Sequence, residues 1–478
     1  MGGGLMQLVS YGAQDVYISG NPQITFWKIL YKRHTNFAVE SIEVTFNGQA
    51  DFNKRVTAVI NRNADLMYKT YVQVILPEVK LTAAQTFRWT HYIGHRLVKQ
   101  VEVEIGGQRI DRQYGDWMQI WTQLATEAGT VRALDAMVGN TPDLCLVKKS
   151  TGVALNSACS SSEVSMSCTG YAGTPATTLY VPLQFWFCRN PGVAIPLIAL
   201  QYHEVRINVD FDTLPNCIYR SSDTLEVGSI AGASLYVDYC YLDTEERRRF
   251  AQQSHEYLIE QVQYTGAESI TSSSNKVQLN FNHPVKELFW VVQRDSFVDC
   301  SASGDANKAG GYLGQQPFNY SDDWDMSVGL LSDFTDASAD APTTAVAAGA
   351  SNYLLAKLLV DANVRCDGKN PVEVAKLQLN GQDRFTEREG PYFDKVQPYQ
   401  HHSRCPSTGI NVYSFALRPE EHQPSGTCNF SRIDKATLQL TVSINTVREA
   451  RTAQIRVYAL NYNVLRVMSG MGGLAYSN

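Results

Sequence analysis

Ile105-Gly-Gly-Gln-Arg-Ile-Asp111 and Leu379-Asn-Gly-Gln-Asp-Arg-Phe385 are two versions of one short text. Each follows an alternating run, Val101-Glu-Val-Glu-Ile105 in the first case and Val374-Ala-Lys-Leu-Gln-Leu379 in the second. Alternation of apolar and polar residues reads as a half-buried strand, and glycine next to a polar residue reads as a tight hairpin turn. The stretch occurs once in each half, so internal duplication is the first thing to test.

Other anchors recur in the same order. Glu40-Ser-Ile-Glu-Val-Thr-Phe-Asn-Gly48 matches Glu260-Gln-Val-Gln-Tyr-Thr-Gly266. Val56–Ile60, broken at Asn61-Arg62-Asn63 and resumed at Val72–Leu76, matches Val277–Phe281, broken at Asn282-His283-Pro284 and resumed at Leu288–Val292. Phe185–Arg189 pairs with Tyr413–Arg418, and Leu235–Tyr239 with Val457–Asn461. The ordered set predicts two copies of one unit, with Gly48, Gly107, Gly266 and Gly381 as its structural turns. The interval from Gly107 to Arg189 is more than twice that from Gly381 to Arg418, whereas Gly48 to Gly107 is the shorter interval when set against Gly266 to Gly381. Each copy therefore carries one long insertion, at a different place. Long surface loops add little closure entropy, so a sandwich tolerates them.

The period of two holds from Phe37 onward, through Val44/Phe46, Val56/Ala58/Ile60, Val72/Val74/Leu76 and Val101/Val103/Ile105. Strands are also read at Leu179–Phe187, Leu197–Leu200, Val205–Phe211 and Leu235–Tyr241. The pattern lapses at 140–180 and again at about 296–370, both rich in small and polar residues; Ser351–Val360 is read as a small helix or strand within the second. Asp116 is a candidate cap for a helix whose Trp117, Ile120, Trp121 and Leu124 form one apolar stripe, material for a core or an interface. The run Asp243-Thr-Glu-Glu-Arg-Arg-Arg-Phe250 sums to no net charge and reads as a solvated connector. The domain reading is thus an arm and short helix over 1–36, a first unit over 37–242, a connector over 243–255 and a second unit over 256–478. The fold class is all-β: two antiparallel sandwiches, with jelly roll favoured over an immunoglobulin topology because long excursions interrupt the meander and no Cys…Trp…Cys framework occurs.

Near the N-terminus, Asn21-Pro22 is a helix start. Ile24, Trp27, Leu30 and Tyr31 follow at helical spacing, with Lys28, Lys32 and Arg33 beside them. Trp27, Lys28, Leu30, Tyr31, Lys32 and Arg33 make up a candidate assembly helix, for docking on a partner or an anionic surface. The alternative is a helix packed on its own barrel.

Composition narrows the function classes. Charged residues make up 18% of the 478-residue chain and the formal net charge is −6, against the basic field of a dedicated nucleic-acid binder. No apolar run reaches the roughly 20 residues of a membrane-spanning helix. Met1–Met6 lacks a basic segment feeding a signal-peptide core, and Met6 stands where a myristoylation pattern has Ser or Thr. The ten cysteines form no CxxC pair and read as free thiols. Two sequons, at Asn319 and Asn429, are possible glycosylation sites only if the chain meets that machinery.

The search for chemistry yields no catalytic, cofactor-binding or metal-binding set. His91 and His95 lack the Glu of HExxH, and His401, His402 and Cys405 lack a fourth ligand. Glu104, Asp111, Glu204 and Asp383 could be arranged as a glycosidase pair, but carboxylates alternating with apolar residues, as Glu102 and Glu104 do, ordinarily form a solvated face. No GxSxG, P-loop or GxGxxG appears.

Several stretches resemble the major capsid proteins of large icosahedral double-stranded DNA viruses, especially algal-virus members: the opening Met1–Tyr17, Gly20-Asn-Pro-Gln-Ile-Thr-Phe-Trp-Lys28, Thr35–Ile42, both turn motifs quoted first, Pro196–Val205, Gln423–Arg432 and the ending Asn461–Tyr476. The resemblance covers both ends and the frame of both halves and thins at the two insertions. It implies two consecutive eight-stranded jelly rolls, a homotrimer with six barrels forming a roughly hexagonal tile, and a non-enzymatic role in the outer shell of the virion, assembled in the host cytoplasm. The implied partners are further copies of the chain, neighbouring capsomers and minor capsid proteins, with an internal viral membrane below. A carbohydrate-binding or carbohydrate-cleaving β-sandwich is the alternative of a different class.

Overall fold

Apolar residues at every second position build the first four-stranded layers. In Arg55–Ile60, Val56, Ala58 and Ile60 are buried, and in Leu66–Leu76 the buried set includes Val72, Val74 and Leu76. The computed structural model describes residues 2–22, 32–81, 85–145, 148–149, 173–220, 225–298, 315–323, 368–447 and 451–477.

The frame of the first half is β1 (Phe37–Thr45), β2 (Arg55–Ile60), β3 (Leu66–Leu76), β4 (Val98–Ile105), β5 (Gln108–Tyr114), β6 (Thr177–Pro182), β7 (Val205–Phe211) and β8 (Gly232–Leu242). They form two antiparallel sheets, in the orders β1-β8-β3-β6 and β2-β7-β4-β5. Val44, Val72, Leu179 and Leu235 from one sheet meet Val56, Val101, Val103 and Ile207 from the other in a single core. The second half supplies β9 (His255–Ile270), β10 (Ser274–Leu279), β11 (Pro284–Arg294), β12 (Val372–Leu379), β13 (Gln382–Glu389), β14 (Ile410–Ser414), β15 (Ala436–Val442) and β16 (Ala453–Met468). Their orders are β9-β16-β11-β14 and β10-β15-β12-β13. Every strand of the second half sits where the strand eight places earlier sits in the first. First and last strands are neighbours in one sheet, second and seventh in the other, which is the jelly-roll arrangement. A second core, with Leu288, Trp290, Val457 and Ala459 facing Val277, Leu377, Leu438 and Leu440, fills the second sandwich.

The strand registers also give the molecule a polarity. β1 begins at Phe37 opposite Leu242, and β9 begins at His255 opposite Val467. The helix Thr244–Gln252, capped by the Asp243 carboxylate on the Thr244 N–H at 2.8 Å, joins these two ends. At the other end, Leu76 lies opposite Thr177, and Arg294 opposite Ala453. The chain between β5 and β6 and the chain between β11 and β12 both leave from this far end. The arm, the connector and the β4–β5 and β12–β13 turns therefore share one end of the barrels, and both long excursions start at the other.

Several local readings change. The strand expected over Leu179–Phe187 stops at Pro182, whose ring removes a ladder donor; Trp186–Arg189 is a helical turn. Phe185–Arg189 is therefore not the counterpart of Tyr413–Arg418, which begins inside β14. Leu197–Leu200 turns on itself through Ala199 N–H to Pro196 O and Leu200 N–H to Leu197 O, and only Ile195–Pro196 pairs with β3. Tyr114, not Asp116, is the N-cap of the helix Gly115–Ala125. Of the expected N-terminal helix, Ile24, Trp27, Lys28, Leu30 and Tyr31 lie outside the described residues, as does the Ser351–Val360 element.

Candidate assembly surfaces and the interdomain seam

The quoted motifs occupy matching positions. Ile105 pairs with Gln108 across Gly106 and Gly107, and Leu379 with Gln382 across Asn380 and Gly381. All four central residues have positive φ (59° and 82°; 50° and 80°), as a two-residue type I′ hairpin requires. Gly48, at φ 103°, follows the isolated bridge between Asn47 and Thr57. Gly266, at φ 114°, is no turn: it sits at a bulge between Tyr264 and Ala267, and β9 continues to Ile270. A bulge consumes the extra residue without ending the strand, so the local signal resembles a turn.

The seam between the barrels is built by the β5–β6 excursion. Its helix Gly115–Ala125 lays Trp117, Ile120, Trp121 and Leu124 over the outer face of β9-β16-β11-β14, in one cluster with Phe289, Val291, Tyr458, Leu460, Ile410 and Val412. The Trp117 ring lies 5.0 Å edge-on to Phe289 and 5.9 Å from Tyr458. The stripe is interface, between two domains of one chain.

Buried charges frame this apolar patch. Asp116 pairs with Arg456, which also donates to Gln293. Arg189, 4.4 Å over the Trp121 ring, donates to Glu260 at 2.8 Å, and Glu260 also holds Lys286. Beside them His402 bridges Glu287 at 2.7 Å and Glu420 at 2.9 Å. Burial alone would lower the His402 pKa, but Glu287 first and then Glu420 outweigh it and hold it at about 9. With His402 protonated, Arg189, Lys286 and His402 face Glu260, Glu287 and Glu420, apart from the Arg456–Asp116 pair. Asp111 accepts from the Val262 N–H at 3.1 Å, and its burial pushes its pKa up to about 7. The C-terminal strand Met471–Leu474 pairs with β16 and reaches back to the first barrel: Tyr202 N–H donates to Gly470 O, and His203 Nδ1 lies 3.0 Å from Gly472 O.

The catalytic candidates disperse into such roles. His95 Nδ1 bonds Gln119 Oε1 at 2.7 Å, and burial lowers its pKa to about 4; His91 Nδ1 bonds Asn140. His401 bonds the Leu417 carbonyl, and Cys405 is exposed. Glu102 overturns the solvated-face reading: it is buried, with Arg55 at 2.7 Å, Arg112 at 2.5 Å and Arg109 at 3.7 Å. Glu104 sits at the rim of that cluster, Glu204 pairs with Arg206, and Asp383 pairs with Lys376. Among the described residues no cluster of histidine, cysteine and carboxylate side chains could hold a metal. Asn319 is fully buried, its amide donating to Gln316 Oε1 and Asp323 O, whereas Asn429 is exposed and accepts from the Ser431 N–H. Sequence reasoning missed the seam's ion network; its signal was Lys286-Glu287, a charged pair inside the apolar run Val285–Val292.

Among the described residues, the arm and one sheet face of the first barrel are open. Residues 2–22 bury nothing, and Leu5, Met6, Leu8, Val9, Tyr11, Val16, Tyr17 and Ile18 are 53% to 93% exposed. Lys32 and Arg33 are exposed and outside any helix. The outer face of β1-β8-β3-β6 carries Tyr71, Tyr180 and Tyr236, with Tyr71 and Tyr236 stacked at 5.2 Å.

With duplicated jelly rolls and no reaction centre among the described residues, comparison with known proteins decides the family. The family described as "Large eukaryotic DNA virus major capsid protein" matches residues 246–473, and "Major capsid protein N-terminus" matches residues 25–243. The major capsid protein of Phaeocystis pouchetii virus is 55% identical over 522 residues, with all of both chains covered. The chain belongs to the major capsid protein family of large eukaryotic DNA viruses. The major capsid protein of Paramecium bursaria Chlorella virus 1 is 39% identical, again over the whole of both chains. A quasi-atomic model of the PBCV-1 virus capsid superposes with a TM-score of 0.67 at 34% identity, covering 95% of this chain and 100% of that one. The Faustovirus major capsid protein reaches the same TM-score at 14% identity and so shares the fold. The function is that of a structural major capsid protein in an icosahedral virion, not that of an enzyme.

Proposed function

We propose that three copies of this chain close into a pseudo-hexagonal capsomer that tiles the outer shell. The observation carrying this reading is the repeated strand order: one chain supplies two like barrels, joined through the helix Thr244–Gln252, and three chains supply six. Jelly-roll walls are rigid because both layers are cross-strand bonded over a packed core, and excursions at one end leave the cores intact. The domain boundary falls within 243–255. The end bearing the exposed arm faces inward, where its apolar side chains and Lys32 and Arg33 meet minor capsid proteins or lie near an internal membrane. The end from which the excursions leave faces outward. Assembly takes place in the host cytoplasm, and Asn429 is the sequon placed to carry any glycan.

The test is native mass measurement and electron microscopy of the purified full chain. Trimers with a hexagonal outline are expected. A chain that stays monomeric at every concentration and instead binds or cleaves polysaccharide would move the reading to the carbohydrate-active alternative.

A further inference from the structure

We infer that the outer face of the β1-β8-β3-β6 sheet is the docking face for the segment Tyr392–His401 of a second copy of this chain. The inference rests on the trimer reading above and names the surfaces that make it.

The contact already exists once, inside the chain. The excursion after β5 covers the outer face of the second barrel's β9-β16-β11-β14 sheet through Trp117 and Trp121. The registers identify the matching face of the first barrel. Tyr264, Tyr458 and Phe289 form one row across β9, β16 and β11. Glu43, Tyr236 and Tyr71 form the corresponding row across β1, β8 and β3. In the second barrel this row lies under the helix. In the first it is open: Glu43 is exposed, Tyr71 and Tyr236 are half-buried, and Tyr180 beside them is 38% exposed.

The composition differs as the two contacts demand. Where the second barrel has Val291 paired with Ile410, the first has Gln73 paired with Tyr180. Where it has Leu460, the first has Asp238. A face covered from the moment of folding can be wholly apolar. A face that must stay soluble until another molecule arrives favours tyrosine with a few polar neighbours.

The element to cover it is also present. The excursion after β13 is the counterpart of the excursion after β5, and it holds Tyr392–Val396 and Gln397–His401. Phe393, Asp394, Gln397 and Pro398 face its own barrel and are buried. Lys395, Val396, Tyr399 and Gln400 are exposed, Tyr399 at 81%. Those four positions share one helical face. The Lys395 ammonium complements Glu43 and Asp238 on the tyrosine face. The two surfaces differ and lie on one chain, so the contact is heterologous, and repetition closes a ring.

The test uses two full-length variants: a face variant, Tyr71→Lys with Tyr236→Lys, and a helix variant, Val396→Lys with Tyr399→Lys. All four positions are at the surface, and circular dichroism and melting confirm each fold. Where a lysine pair disturbs folding, serine at the same positions replaces it. Native mass spectrometry should find wild type as trimer and each variant alone as monomer. Mixed, the variants should give a 1:1 heterodimer and stop there, because each keeps one competent half. Variants that trimerise like wild type, or a mixture that stays monomeric, would overturn the assignment. Wild type that is itself monomeric would instead overturn the trimer reading.

Discussion

A side chain at Gly381 would have to hold φ near +80°, although a Cβ there meets nothing within 4 Å. The penalty is backbone strain alone, so Gly381→Ala should cost about 1 kcal/mol in urea unfolding, and Gly107→Ala about the same. Gly472→Ala works differently: its Cβ would lie 2.6 Å from Leu200 Cδ2 and 3.1 Å from Ile105 Cγ2. Overpacking there, on the order of 1–3 kcal/mol, loosens the strap between barrels. His402 gives a pH signature. Its folded pKa of about 9 lies above the ordinary histidine value of about 6.5. Its contribution is therefore complete below about pH 6.5 and lost as pH rises through 9. Urea midpoints of wild type should fall across that window relative to His402→Gln; a constant difference between the two would show that His402 is not held as a cation. The hairpin glycines were legible in the sequence because a two-residue turn is a local demand. The fates of Glu102 and His402 were not, since a carboxylate on a strand looks the same whether water or three arginines surround it.

At the scale of elements, period two located strands such as Arg55–Ile60 and Ala436–Val442 because their sheets have one dry and one wetter face. Pro284–Arg294, by contrast, is buried on both faces and reads as a continuous apolar run. Strand reading failed where apolar residues serve another purpose: Trp186–Arg189 is as apolar as a strand, but it packs as a helical turn in the first core. The stripe of the helix Gly115–Ala125 was equally legible, and its destination was not, because periodicity shows that a face is buried and never against what. That destination yields a prediction. Trp117→Ala removes the ring packed on Phe289 and Tyr458, at a cost of about 3–5 kcal/mol. The loss falls on the seam while both jelly-roll cores remain. Calorimetry should therefore resolve two unfolding transitions where wild type shows one. A single transition at a lower temperature would mean that the helix supports the first barrel itself.

For the whole molecule, polarity is the property that chain order alone hides, since the strand registers are what bring Arg294 and Thr177 to one end and Phe37 and His255 to the other. The excursion after β11 is not surface along its whole length: Phe318 and Tyr320 are buried in the seam cluster with Phe289 and Tyr458. Replacing 301–345 by a short Gly/Ser linker should therefore lower the melting temperature and the yield of soluble trimer. An unchanged trimer by native mass and melting would mean that these side chains do not support the fold. The arm makes the converse case. Its large apolar residues are exposed, and no residue of Gly3–Val9 or Val16–Ser19 is buried. Glycines at 2–4 contribute no packing, and ordering such a segment costs about 1–2 kcal/mol per residue of backbone entropy, which contacts within the chain do not offset. In the proposed capsomer a partner supplies the offset, since the arm lies at the end taken above to face inward. Deleting residues 2–20 should therefore shift the trimer's unfolding free energy by no more than about 0.5 kcal/mol, while shell formation, followed by electron microscopy with the minor capsid proteins present, is lost. A sharp fall in stability with normal shells would place the arm in the fold and remove its role in assembly.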